Sequence, residues 1–312
     1  MSGVAFVFAG QGSQYVGMGK DLLDANPEIR RNFDQAEEAL DKSFLDLCLY
    51  GPEDELNNTI NTQPCLYILS YSIYKIIEGL GYRPQVVAGH SLGEYTALTS
   101  VGTFNFIEGL RIVAKRAELM SREAKRNPGR MLAVLGADVR SVDTVVAELS
   151  QQGIISVANY NCPGQVVVSV ESSLSDEAIA ALSKAGAKKV MALPVSGAFH
   201  SAMMREAETE FNAFLDSFIF MSASIPLIPN TLVRPVVEAT DIKNALRTQM
   251  SSPVKWQQSI EQIIGSGIRV FVEIGPGQIL SKIIKRIDSK VEVLSTDTPD
   301  SLMRTVERLK EV

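Results

Sequence analysis

Around residue 90 the chain reads PQVVAGHSLGEYTAL, and no other run restricts the fold as much. Gly89-His90-Ser91-Leu92-Gly93 fits G-x-S-x-G, the pattern of a serine on a sharp turn between a strand and a helix. Upstream, the apolar run PQVVAG predicts a buried strand. Downstream, LGEYTALTSVG predicts a helix, with Glu94 in its first turn, where negative charge is favoured. The glycines permit tight backbone geometry and close approach of a substrate. Ser91 is therefore a candidate nucleophile. The plainer reading is a helix N-cap serine in a tight βα turn.

The rest of the chain supports an α/β assignment. VAFVFAG predicts a first strand running into the loop GQGSQ. PEIRRNFDQAEEAL predicts an amphipathic helix with Pro27 in its first turn. QPCLYILSYSIYKIIEGLG predicts a largely buried helix ending at glycine, and FIEGLRIVAKRAELMSREAKR a longer one ending in basic residues. After the breaker NPG the texture changes. RMLAVLG, ISVANYN, QVVVSV and KKVMALPV predict strands, while SVDTVVAELSQQG and SLSDEAIAALSKAG predict helices. That is β-α-β-β-α-β, a ferredoxin-like unit. It reads as an insertion at 127–196 in a core formed by 1–126 and 197–312. Strands and helices alternate again through RVFVEIG, GQILSKIIKR, VEVLS and DSLMRTVERL, so the core sheet is expected to be mainly parallel.

Gly10 and Gly12 open a G-x-G after the first strand, but Tyr15 stands where a dinucleotide fingerprint needs glycine. That loop must serve something else. A net charge of −6 argues against a general nucleic-acid binder. There is no apolar run of the roughly 18 residues that a membrane span needs. Three cysteines, Cys48, Cys65 and Cys162, show no C-x-x-C spacing. They suggest neither a disulfide framework nor a zinc site, and a reducing compartment, the cytoplasm, is expected. Cys162 is a rival nucleophile without an elbow around it; a packed thiol is the simpler reading. With only His90 and His200, far apart in sequence, a metal site has no support.

A serine hydroxyl needs a base within hydrogen-bond reach. His90 adjoins Ser91, and neighbouring side chains diverge where a strand turns into a helix. His200, in PVSGAFHSAMM, lies in a loop after a strand and is the better candidate. A carboxylate or a backbone carbonyl could orient it. One oxyanion donor is expected from the N–H after the serine, that of Leu92. A second could come from Gln11, whose flanking glycines allow its N–H to turn into the site. Arg116 is unusual: its helical neighbours Ile112, Val113, Leu119 and Met120 are all apolar. A buried guanidinium needs a partner, either an internal Asp or Glu or the carboxylate of a substrate.

Taken together, FAGQGSQYVGMG, TQPCLYI, GHSLGEYTAL, KRAELM, VANYNCPGQVVVSV, GAFHSAMM, SSPVKW and FVEIGPGQIL resemble the malonyl-CoA:acyl carrier protein transacylases, in order and over essentially the whole chain. The resemblance implies a hydrolase-like α/β core with a ferredoxin-like insert. It implies ping-pong transfer of malonyl from malonyl-CoA through Ser91 to the phosphopantetheine thiol of acyl carrier protein, supplying fatty acid synthesis. By similarity His200 is the base, Gln11 and Leu92 give oxyanion N–H groups, and Arg116 grips the malonyl carboxylate. The motif match places the histidine-orienting carbonyl on Gln249, and Phe199 is the residue type associated with malonyl selection. No bound cofactor is implied; the coenzyme A thioester is substrate. A monomer is expected. A discrete polyketide acyltransferase would look much the same. A serine hydrolase or a non-catalytic carrier-binding subunit are the other readings. Two departures stand out: Ala9 replaces a usual proline, and Arg130 a usual small residue, which suggests an extra cation near the cleft. Lys282, Lys285 and Arg286, with Lys188 and Lys189, are candidate patches for an acidic carrier or coenzyme phosphates.

Overall fold

The computed structural model describes residues 3–312. Its strands, in chain order, are β1 (Val4–Phe8), β2 (Val86–Gly89), β3 (Gly129–Leu135), β4 (Ile155–Cys162), β5 (Gln165–Glu171), β6 (Lys189–Ala192), β7 (Leu227–Ile228), β8 (Val270–Ile274) and β9 (Glu292–Ser295). The order β7-β2-β1-β8-β9 makes a five-stranded sheet in which every pairing is parallel. β2 and β8 are buried throughout, and β1 is buried beyond Val4. Such unbroken apolar runs belong to parallel strands covered on both faces. Alternation along β1 divides the core. Phe6 and Phe8 face one cluster with Leu66, Tyr67 and Val113, from the helices Thr59–Gly79 and Phe106–Arg126. Ala5 and Val7 face the other with Trp256, Ile260 and Ile284, from the helices Trp256–Gly265 and Ile279–Ile287.

The second sheet has the order β4-β5-β3-β6, all antiparallel, with helices Val139–Leu149 and Ser175–Lys184 between its strands. This is the ferredoxin-like arrangement. Leu132, Val134 and Val168 pack under those helices. The opposite face, through Met131 and Val167, joins the core beside the carboxyl ends of β1 and β2. Backbone bonds from Tyr160 N–H to Val254 O (2.9 Å) and from Val254 N–H to Ala158 O (2.8 Å) tie β4 to the loop before the helix Trp256–Gly265. The cleft between the sheets is thereby fixed on both sides. Among the described residues, no helix is long and apolar enough to cross a membrane.

Two expectations shift. The buried helix begins at Thr59 rather than near Gln63, because Asn58 caps it and Pro64 is tolerated inside. β6 is shorter than KKVMALPV and ends at Ala192, just before Pro194, which has no N–H to give a ladder. The helices Arg205–Leu215, Ala239–Arg247 and Trp256–Gly265 and the two-residue strand β7 lie outside the segments assigned from the sequence, although all three helices are amphipathic.

Candidate active site

β2 delivers Gly89 into the elbow, and the helix Gly93–Ser100 leaves it. The turn is possible because both glycines lie against backbone. A Cβ on Gly89 would sit 2.0 Å from the carbonyl carbon of Gly93, and one on Gly93 would sit 2.1 Å from Phe8 O. Ser91 adopts φ 51°, a left-handed conformation uncommon for a residue with a side chain. His200 is also left-handed, at φ 55°. Strain at both positions fits a site whose surroundings impose its geometry.

The structure brings these two residues together. Ser91 Oγ lies 2.7 Å from His200 Nε2. His200 Nδ1 lies 3.0 Å from Gln249 O and 3.1 Å from Ser252 O. Two carbonyl acceptors fix the proton on Nδ1, so Nε2 presents its lone pair to the serine. No carboxylate takes part. The Gln249 carbonyl is where the resemblance placed it; Ser252 is an addition that the sequence does not announce. His200 is buried, and burial together with the Arg116 charge pushes its pKa down to about 3. His90 turns away, with Nε2 2.9 Å from Asn161 Oδ1 and its ring edge-on to Trp256. Burial lowers its pKa as well. It is the packed histidine behind the elbow that its position next to Ser91 suggests.

Gln11, Leu92, Arg116, Phe199 and His200 line one cleft with Ser91. The Ser91 N–H is occupied, donating to Asn230 Oδ1 at 2.8 Å. Among the described residues, the N–H groups of Gln11 and Leu92 find no intrachain acceptor. That leaves two backbone donors for a developing oxyanion. The Gln11 side chain is anchored by Nε2 on Thr59 Oγ1 at 3.0 Å.

Arg116 is 1% exposed. Its Nη1 donates to Gln63 Oε1 at 2.7 Å, and its Nη2 to Ser91 Oγ at 3.0 Å and Gln249 Oε1 at 3.1 Å. Nε has no partner, and the Tyr95 ring lies 5.2 Å away. Among the described residues, no Asp or Glu comes within salt-bridge reach of it. The internal ion pair is thus not what holds this guanidinium. It is oriented by neutral oxygens, and the nearby Glu94 carboxylate acts on it only from beyond Gln249.

Glu94 lies in the first turn of the helix, as the motif suggests, and is buried there. It is 1% exposed and accepts from Gln249 Nε2 at 2.9 Å and Asn230 N–H at 3.1 Å. Burial pushes its pKa up to about 7. Arg130 departs from expectation. It is exposed on the β3 face that carries Leu132 and Val134, whereas Met131, on the opposite face, lines the cleft. Strand alternation therefore removes it from the substrate. Cys162 is buried against Gln165, and burial raises its pKa, so a reactive thiolate is disfavoured there.

A family model described as acyl transferase domain matches residues 5–308. The chain belongs to that family. This acyltransferase is 36% identical over 312 residues to a malonyl CoA-acyl carrier protein transacylase of Bacillus subtilis, covering 100% of this chain and 98% of the relative. Its fold matches an acyl carrier protein S-malonyltransferase of Vibrio cholerae with a TM-score of 0.94 at 36% identity, covering 97% of this chain and 100% of the other. It also matches a malonyl-transacylase solved in complex with a type II PKS acyl-carrier protein, with a TM-score of 0.96 at 36% identity, covering 98% and 100% of the two chains. The acyltransferase thus keeps the family fold over essentially its whole length, including every segment that contributes to the cleft.

Proposed function

We propose that this acyltransferase carries malonyl from malonyl-CoA to the phosphopantetheine thiol of an acyl carrier protein, as an ester on Ser91, in support of fatty acid synthesis. The observation that carries the acyl choice is the guanidinium of Arg116, 3.0 Å from Ser91 Oγ and with no carboxylate of the described residues in contact. A carboxylate on the acyl group supplies the partner that the protein withholds. Ser91 Oγ gives its proton to His200 Nε2 and attacks the thioester carbonyl. The oxyanion forms against the Gln11 and Leu92 N–H groups. The C–S bond then breaks, and the coenzyme A sulfur takes the proton from His200. The carrier thiol repeats the sequence in reverse and frees Ser91.

His200 starts as a weak base, partly because of the neighbouring Arg116 charge. A carboxylate seated on Arg116 offsets that charge and raises the basicity of His200 when the correct acyl group is bound. Phe199, buried in the cleft wall, restricts the space beside the acyl chain. One chain supplies Ser91, His200, Arg116, Gln11 and Gln249, which supports action as a monomer. The three cysteines are free and buried, in keeping with a cytoplasmic enzyme. No resident cofactor enters the scheme.

The carrier is acidic in such systems, and Lys188 with Arg286 offers a rim for it. The Lys188 stem lies over Gly136, and Gly136 and Gly164 bridge the space to Arg286. Lys285 and Arg286 also donate to neighbouring oxygens, Lys285 to the carbonyls of Ser289 and Val291 and Arg286 to Gln165 Oε1 and Pro163 O, and all of these acceptors are neutral. Intact masses after incubation with malonyl-CoA or acetyl-CoA test the reading, with and without Ser91→Ala. A malonyl adduct lost in the variant, little acetyl adduct, and chase of the adduct by phosphopantetheinylated carrier are expected. Release of free malonate with no carrier adduct would instead mark a hydrolase.

A further inference from the structure

The elbow is held from outside by a residue that no motif announces. Asn230 follows β7, 139 positions from Ser91, and is 1% exposed. Its Oδ1 accepts the Ser91 N–H at 2.8 Å, and its Nδ2 donates to Gly89 O at 2.7 Å. One carboxamide therefore clasps the backbone on both sides of His90. Its own backbone is equally fixed. The N–H donates to Glu94 Oε2 at 3.1 Å, and the carbonyl accepts from Lys255 N–H at 3.0 Å. The loop that presents it contains Val233 at φ 54°, a conformation unfavourable for a β-branched residue. Strain lies on both sides of the clasp, at Ser91 and at Val233.

We propose that Asn230 is a positioning residue for acyl transfer: its carboxamide holds Ser91 in the left-handed conformation that sets Oγ on His200 and leaves the Leu92 N–H for the oxyanion. The proposal rests on the reading of Ser91 as the acyl carrier within the enzyme. The site needs an acceptor and a donor on one short, neutral side chain, and an amide supplies both. Glu94 Oε2 also accepts from Gln249 Nε2, whose Oε1 seats Arg116, so nucleophile and carboxylate seat share one anchor.

The test is single-turnover acylation by malonyl-CoA, followed by rapid quench and intact mass between pH 5 and 9. It compares wild type, Asn230→Ala and Asn230→Asp, with rates normalised to the folded fraction. Misplacement of a nucleophile by about 1 Å costs on the order of a hundredfold. Asn230→Ala should therefore acylate about a hundredfold more slowly, with KM for malonyl-CoA nearly unchanged because Arg116 keeps its seat. Asn230→Asp separates positioning from bulk. Ionised, its carboxylate can accept from Ser91 but repels Gly89 O. Protonated, it can do both, so its rate should climb towards wild type as pH falls.

The groups facing that position are Glu94 from the following helix, His90 in the elbow, His200 across the cleft, Arg116 through Gln249, and Lys255, whose ammonium bonds Thr231 O. All of them are present in the wild type too, which serves as the reference profile. Normalised rates within threefold of wild type for Asn230→Ala, or a wild-type pH profile for Asn230→Asp, would overturn the proposal. Absence of a Ser91 adduct in the wild type would overturn the acyl-transfer reading itself, and with it this one.

Discussion

Replacing Arg116 by methionine should separate stability from activity. The side chain is 1% exposed, its Nε is unpartnered, and its terminal nitrogens meet only neutral oxygens. Burial holds its pKa below the usual arginine value, the sign of a cation at a cost. Relief of the buried charge is offset by the two acceptors left stranded, Gln63 Oε1 and Gln249 Oε1, at ~1–3 kcal/mol each, so stability should change by no more than ~2 kcal/mol. For a chain of this size that keeps Tm within about 5 °C of wild type. The malonyl carboxylate loses two charge-assisted hydrogen bonds, each worth ~1.5–3 kcal/mol. At about 1.4 kcal/mol per tenfold, kcat/KM for malonyl-CoA should fall by roughly 10²–10⁴. Acetyl-CoA has no carboxylate to lose and should be used at least as well as before. Thermal unfolding and acylation kinetics on both thioesters read the two effects. A large drop in Tm with undiminished malonyl transfer would refute the argument, because that is how a structural cation behaves.

The acid limb of the pH–rate profile should depend on the acyl group. In the free enzyme the His200 pKa is held at about 3, so it stays neutral, and able to act as base, well below pH 6. Bound malonyl offsets the Arg116 charge, so the limb of kcat should lie at higher pH than that of kcat/KM, while for acetyl-CoA the two should coincide. A malonyl profile with the two limbs superimposed would remove the proposed link between substrate charge and base strength. Gly93→Ala should lose the fold or the elbow altogether, since its Cβ would sit 2.1 Å from Phe8 O and 2.9 Å from Ala9 O, both main-chain atoms with nowhere to yield. A soluble Gly93→Ala protein with a native melting curve and wild-type acylation would show that the elbow does not need that contact.

Legibility in the sequence follows the range of the interactions. The elbow, the amphipathic helices and the βαββαβ unit rest on local periodicity and turn chemistry, and these read directly from the chain. Arg116 was visible because four apolar helical neighbours made its charge conspicuous. His200 emerged because only two histidines exist and one is poorly placed. Gln249 and Phe199 could be picked out only by resemblance, since nothing in their own surroundings marks them. Asn230 was out of reach: it sits in IPNTLVRP, with no periodicity around it, and acts across 139 positions. Glu94 lies in the first turn as the sequence indicates, but its burial and its bonds to Gln249 and Asn230 are long-range facts that local helix-end electrostatics does not carry. Arg130 was misplaced because a departure from a family pattern gives no information about which strand face it occupies.

The placement of Glu94 explains how the chain holds Arg116 buried with no carboxylate in contact. Had Glu94 touched Arg116, the ion pair would occupy the seat and a substrate carboxylate would have to displace it. Gln249 stands between them instead. Its Nε2 donates to Glu94 Oε2 at 2.9 Å and to Ser91 O at 3.0 Å, which fixes the amide orientation and leaves Oε1 for Arg116 Nη2 at 3.1 Å. The negative end of an amide dipole orients the guanidinium, but a dipole cannot cancel a full charge. The remaining positive charge is available to a carboxylate beside Ser91 and, until one arrives, adds to burial in holding His200 below its ordinary basicity. One neutral residue, whose carbonyl also holds His200, thus keeps the carboxylate and the guanidinium apart.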